Sequence, residues 1–208
     1  MPEATVDRVR ASGLAGLAGV AVFAAVCGAA QFWRGDLDWQ AAPLSYYLTG
    51  SGSVGVVMAY LALSAALFAI GHGFGLALVP FVRMTAAKLL FNVAGICLAL
   101  TALSEVAKSA GHHAEWTLLH LVAAQATFLS VTVAMLMQSW WLRTDSRWRG
   151  RFPLAFVLAA AAFVALCVYL IDRSLPRGLA QKGVIVLILV WLGWAALNLS
   201  RTRRMPSA

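Results

Sequence analysis

The stretch SEVAKSAGHHAEWTLLH, residues 104–120, gathers two carboxylates, a lysine and three of the chain's four histidines. A carboxylate that orients an imidazole leaves a ring nitrogen ready to act as a general base or to hold a polar headgroup. Glu105 and His120 are the pair that could do this, and Ser45, far away in the chain, supplies a hydroxyl that could serve as nucleophile or oxyanion donor. Asp36, Asp38, His113 and Arg177 complete the candidate ligand-binding set. The plainer reading is that each group reaches water at the end of an apolar helix. Lys108, one turn beyond Glu105, is placed to pair with it, and His120 is placed for an interhelical hydrogen bond. His112, His113, His120 and Glu115 match no metal-ligand spacing and HExxH is absent, so neither a metal nor a cofactor is expected. A haem between His72 and His120 fits poorly, because the two fall at opposite ends of their spans.

The elements that must position these groups follow from composition. The 208 residues are 62% apolar and only 12% charged, with a mean hydropathy of +0.81. A water-soluble domain with so little polar surface could not cover itself, so the solvent is lipid. Six apolar runs, at about residues 12–32, 53–74, 86–107, 116–139, 153–171 and 183–199, are each near the length that crosses a hydrocarbon core. Period-two alternation is absent, and a lipid-exposed backbone has to satisfy its own hydrogen bonds, so the runs are helices. The loops are too short for a second module, which makes residues 1–208 one all-α membrane domain, a six-transmembrane-helix bundle. The segment 33–52 carries tryptophans and tyrosines suited to the headgroup level, and Pro43 opens a short helix or turn at LSYYL.

With six spans both termini share a side. That side holds eleven basic residues, against five (Arg34, Lys108, Arg173, Arg177 and Lys182) on the other. The positive-inside rule therefore places the N and C termini in the cytoplasm. The net charge of +8 then reads as a topology signal and a contact for anionic lipid rather than for nucleic acid. The first span reads as a retained anchor, not a cleaved signal. Cys27, Cys97 and Cys167 fall inside spans, as small apolar packers. Gly13, Gly16 and Gly19 let helices approach closely. In the fourth span Thr117, His120, Ala124, Thr127, Ala134 and Gln138 form one stripe at 100° per residue, expected to face the bundle interior. Glu105 and His120 then lie at similar depth on consecutive antiparallel helices. Asp36, Asp38, Ser45 and Arg177 reach the same outer leaflet.

LSYYLTG, LSEVAKSAGHHAEWTLLHLVAAQATF, TDSRWRG and GLAQKGVIVLILVWLGWAALNL together resemble a bacterial six-helix membrane family known as a domain of unknown function. That family is distantly similar to the FRAG, DRAM and SFK membrane proteins, which are associated with lipid remodelling and retention. The resemblance falls on Ser45, on the acidic residue ending the third span, here Glu105, and on the histidine opening the fourth, here His120. Family members more often carry an aspartate in a proline-containing turn near the position of Glu105. This chain has neither there.

The expectation is a multi-pass protein of the bacterial inner membrane whose outward-facing polar pocket binds a lipid headgroup or small amphiphile. Two alternatives stand beside it. One is an intramembrane enzyme acting on a lipid or isoprenoid through His120, Glu105 and Ser45. The other is a subunit or homo-oligomer that packs within a larger membrane complex.

Overall fold

The computed structural model describes residues 2–78, 84–109 and 113–202, without the side chains of Met84, Thr85, Ser109 and His113. His112, Arg83, Arg203 and Arg204 lie outside the described residues, as does the side chain of His113. Six helices form the fold: α1 Glu3–Trp33, α2 Ser53–Ala77, α3 Met84–Ser109, α4 His113–Leu142, α5 Phe152–Ile171 and α6 Arg177–Ser200. Short 3-10 turns occur at Leu44–Leu48 and Arg149–Arg151, and no strand is present among the described residues. All six helices are long and apolar enough to cross a membrane. Their outward faces carry Phe32, Val54, Leu118, Val157 and Val186, each more than half exposed, a surface suited to acyl chains.

Each helix follows its hydropathic run and then passes its end. α1 starts nine residues before the run at 12, with Glu3 in its first turn, where a carboxylate meets the positive end of the helix dipole. Charge ends a hydropathic run but not a helix. α5 begins with Pro153 at its first turn, where a missing N–H costs nothing. α2 begins after Gly52, whose φ of 75° is left-handed and whose neighbour Gly50 is similar at 80°. These two glycines let the chain turn sharply from the 34–52 loop into the second span.

Consecutive helices are neighbours, α6 returns to α1, and α2 also touches α6 across the interior. Glycines set the closest approaches. A Cβ on Gly19 would lie 2.4 Å from the Ala62 carbonyl oxygen of α2, and one on Gly13 would lie 2.3 Å from the Ser200 nitrogen of α6. Between helices in lipid, such backbone proximity takes the place of the hydrophobic effect. The half of the bundle nearest the termini is filled by aromatic rings. Phe74 packs on Trp148 at 5.6 Å and Phe91 on Trp191 at 5.9 Å between centroids. The buried Trp191 indole donates to Ala155 O at 3.0 Å and lies 3.1 Å from Ser139 Oγ. In the opposite half, beneath the 34–52 loop, the ring pairs Phe23–Tyr60 and Phe128–Tyr169 stand at the wall of an open interior.

Candidate functional site

A cavity of about 710 Å³ occupies that loop half. On α4 its lining runs from Thr117 to Val131 and on α6 from Arg177 to Leu192, so at about 1.5 Å per residue it extends roughly 20 Å along the bundle. Its depth is apolar, with Leu63, Leu67, Val131, Ile188 and Leu192. Its mouth is polar, with Asp36, Asp38, Ser45, Lys108, Arg177 and Gln181. Cavities of this size and character hold molecules of roughly drug size.

The wall between mouth and depth carries the most densely connected polar cluster. His120, 8% exposed, projects from α4 toward α3. Its Nδ1 lies 3.1 Å from Thr101 O, 3.1 Å from Glu105 Oε1 and 3.4 Å from Ser104 Oγ. Backbone carbonyl and carboxylate oxygens can only accept, and Ser104 already donates to Thr101 O at 2.9 Å. These neighbours assign the ring proton to Nδ1. In the neutral ring Nε2, on the far edge, keeps its lone pair, and it has no hydrogen-bond partner among the described residues. Glu105 is equally buried and also accepts from Lys108 Nζ at 3.0 Å. The carboxylate is thus shared between a cation that reaches the surface and an imidazole that does not.

The roof is the 34–52 loop, and its own side chains hold it in shape. Buried Arg34 clamps Asp36 with two parallel bonds, Nε to Oδ1 and Nη2 to Oδ2, both 2.8 Å, and donates through Nη1 to Thr49 O. The guanidinium holds the Asp36 carboxyl below its ordinary range, and that carboxylate in turn raises Arg34. Tyr47, fully buried, lies beneath Arg34 and Lys182, 5.7 and 5.3 Å from its ring centroid. Pro43 opens the Leu44–Leu48 turn, which buries Leu44, Tyr47 and Leu48 in the bundle. The segment expected along the interface therefore also plugs into the helices and covers a cavity.

What fastens the roof is the start of α6. The first N–H groups of a helix lack partners within it. Here Gly178 N donates to Ala41 O at 3.1 Å and Leu179 N to Gln40 O at 2.8 Å. Gln181 Oε1 accepts from Leu44 N at 2.8 Å, and Lys182 Nζ donates to Trp39 O. Gly178 is needed for this contact. A Cβ there would lie 2.4 Å from Ala42 O and 2.8 Å from Gln40 O.

The structure brings six of the seven residues singled out by sequence onto this one cavity: Ser45, Asp36, Asp38, Glu105, His120 and Arg177. Their partners differ. Asp36 is spent on Arg34 and Asp38 caps Gln40 N at 2.9 Å. Arg177 donates to Tyr169 O at 2.7 Å and stacks over that ring at 4.3 Å. Ser45 lines the cavity from the roof and is not among the contacts of His120. The hydroxyl nearest the ring is Ser104, and it lies beside the nitrogen that carries the proton. Of the α4 stripe, His120, Thr127, Ala134 and Gln138 are buried, whereas Thr117 is exposed while still lining the cavity. Sequence reasoning passed over Thr101, Ser104 and Gln181. A hydroxyl in a span ordinarily bonds its own helix, as Thr101 does with Cys97 O at 2.8 Å, so neither threonine nor serine stands out in a single sequence.

Residues 17–198 match the family described as "Protein of unknown function (DUF998)", and the chain belongs to that family. Comparison with curated proteins and with solved structures gave no match.

Proposed function

We propose that this DUF998 member binds a membrane amphiphile, the apolar part lying along the interior of the bundle and the polar end beside His120 and Glu105. One observation carries the reading: an elongated cavity is apolar in depth and polar at its mouth, inside a bundle of helices long and apolar enough to cross a membrane. The basic excess at the end that holds both termini supports a cytoplasmic location for them. The mouth then opens toward the outer leaflet, in a bacterial inner membrane. Extraction of the purified protein from mild detergent, followed by mass spectrometry of what denaturation releases, tests the reading. A stoichiometric amphiphile is expected with the wild type and a reduced amount with His120→Ala. Equal, trace quantities of bulk lipid from both would refute it.

The His120–Glu105 contact favours a second reading, an intramembrane enzyme in which His120 is the base. Ser45 as its nucleophile would have to approach Nε2 from the roof. Turnover of a lipid ester or phosphoester that Ser45→Ala leaves intact would remove Ser45 from that scheme.

A further inference from the structure

We infer that the part of the amphiphile that meets His120 is an uncharged hydroxyl, which donates its proton to Nε2. This inference rests on the amphiphile-binding reading and narrows it to a chemical class. It starts from which hydrogen-bonding capacities the wall has already used. An anionic phosphate or carboxylate beside His120 would need a cation there that no carboxylate already pairs. Lys108 is neutralised by Glu105 and Arg34 by Asp36, while Arg177, which gives one N–H to Tyr169 O and keeps its charge, is not among the contacts of His120 or Glu105. A cationic head would need a carboxylate without partners near the histidine. Glu105 already serves both Lys108 and the imidazole, Asp36 serves Arg34, and Asp38, which caps Gln40 N, is not among the contacts of His120.

The capacity left over is of another kind. His120 is more than nine-tenths buried, its Nδ1 edge is turned to α3, and the ring lines the cavity. Nε2, which lacks a partner among the described residues, is not among the buried polar atoms sealed away without one. In the neutral imidazole it is an acceptor on the cavity-lining ring. The uncharged donors nearby are amides. Leu44 N occupies Gln181 Oε1, so the NH₂ of Gln181 remains to donate, and Gln125 also lines the wall. An acceptor set among uncharged donors suits a hydroxyl, which gives one hydrogen bond and takes another. A buried acceptor left unpaired costs more than a paired one, so an occupant without a donor is selected against.

Binding of cetyl alcohol, monopalmitin, the methyl ether of cetyl alcohol, palmitate and palmitoyl lysophosphatidate to the full chain in nanodiscs tests this without altering the protein. The alcohol and monopalmitin are expected to bind about five- to tenfold tighter than the ether, the loss that follows from one deleted hydrogen bond. Palmitate and lysophosphatidate are expected to bind more weakly than the alcohol. His120→Phe should bring alcohol and ether to equal affinity while the ether's own affinity stays within about twofold of its wild-type value. An ether as tight as the alcohol, or an anion tighter than both, overturns the hydroxyl assignment and leaves the amphiphile reading standing. Failure of all five to bind overturns the amphiphile reading and, with it, this inference.

Discussion

Replacing Gly178 with alanine should unfasten the roof of the cavity without disturbing the helices beneath it. The new Cβ would begin 2.4 Å from Ala42 O and 2.7 Å from Ala42 C. Both are backbone atoms, so no side-chain rotation relieves the clash. Restoring a separation of 3.0 to 3.4 Å requires the loop to retreat by 0.6 to 1.0 Å. The bonds from Gly178 N to Ala41 O and from Leu179 N to Gln40 O, now 3.1 and 2.8 Å, would then stretch past useful length. Two such bonds are worth about 0.5–1.5 kcal/mol each, and the steric cost overlaps with theirs, so the attachment weakens by about 1–3 kcal/mol. Hydrogen–deuterium exchange in nanodiscs reads this locally. The Leu44 and Leu179 amides should exchange roughly 5 to 150 times faster, the factor corresponding to that energy. Amides at the middle of α2 should not change. Gly183→Ala is the control, since a Cβ at Gly183 meets nothing within 4 Å. Unchanged exchange at Leu44 and Leu179 in the Gly178 variant would refute the argument that this contact holds the loop down.

Glu105→Gln removes the charge shared by Lys108 and His120. Lys108 is 29% exposed and can extend to water, so the cost should be about 1–2 kcal/mol rather than the larger value of a sealed pair, measured by denaturant titration in mixed micelles. Gly19→Val should separate α1 from α2 by forcing a Cβ against Ala62 O and Ala66 Cβ, at about 1–3 kcal/mol. Gly28→Val, where a Cβ meets nothing within 4 Å, should be silent in the same assay. Asp36 gives a pH signature. Arg34 depresses its folded-state pKa below the ordinary 3.8, so its contribution is present above that value and is lost as pH falls through the lower one. The thermal midpoint of the wild type should exceed that of Asp36→Asn at neutral pH, and the gap should close only below pH 3.8. A gap that closes well above that pH would show that the clamp is not what separates the two.

The spans were legible because about twenty consecutive apolar residues suit a bilayer and little else, and the described helices overlay all six runs. Their ends were less legible, since hydropathy registers Asp7, Arg8 and Lys182 as interruptions whereas the backbone continues helical through each of them. The pairing of Glu105 with Lys108 could be read from their i,i+3 spacing, and its approach to His120 from equal depth on antiparallel neighbours. The Thr101 carbonyl that shares Nδ1 could not be read, because every helical residue has one. Nor could the cavity. It is a shortage of side-chain volume among six helices and a loop, and no residue type marks a shortage. The fastening of residues 40–44 to Gly178, Leu179 and Gln181 joins positions more than 130 apart in the chain. Its only local trace was a glycine early in the last helix.

That fastening also fixes when the site can exist during synthesis. The first loop emerges early and the helix it grips is made after the other five, so until then its carbonyls at Gln40 and Ala41 wait for amides not yet synthesised. Insertion of the sixth segment both completes the ring against α1 and shuts the cover. A nascent chain stalled before Arg177 therefore lacks the amides that fasten the roof, and the finished enclosure becomes a mark that the sixth span has joined the bundle.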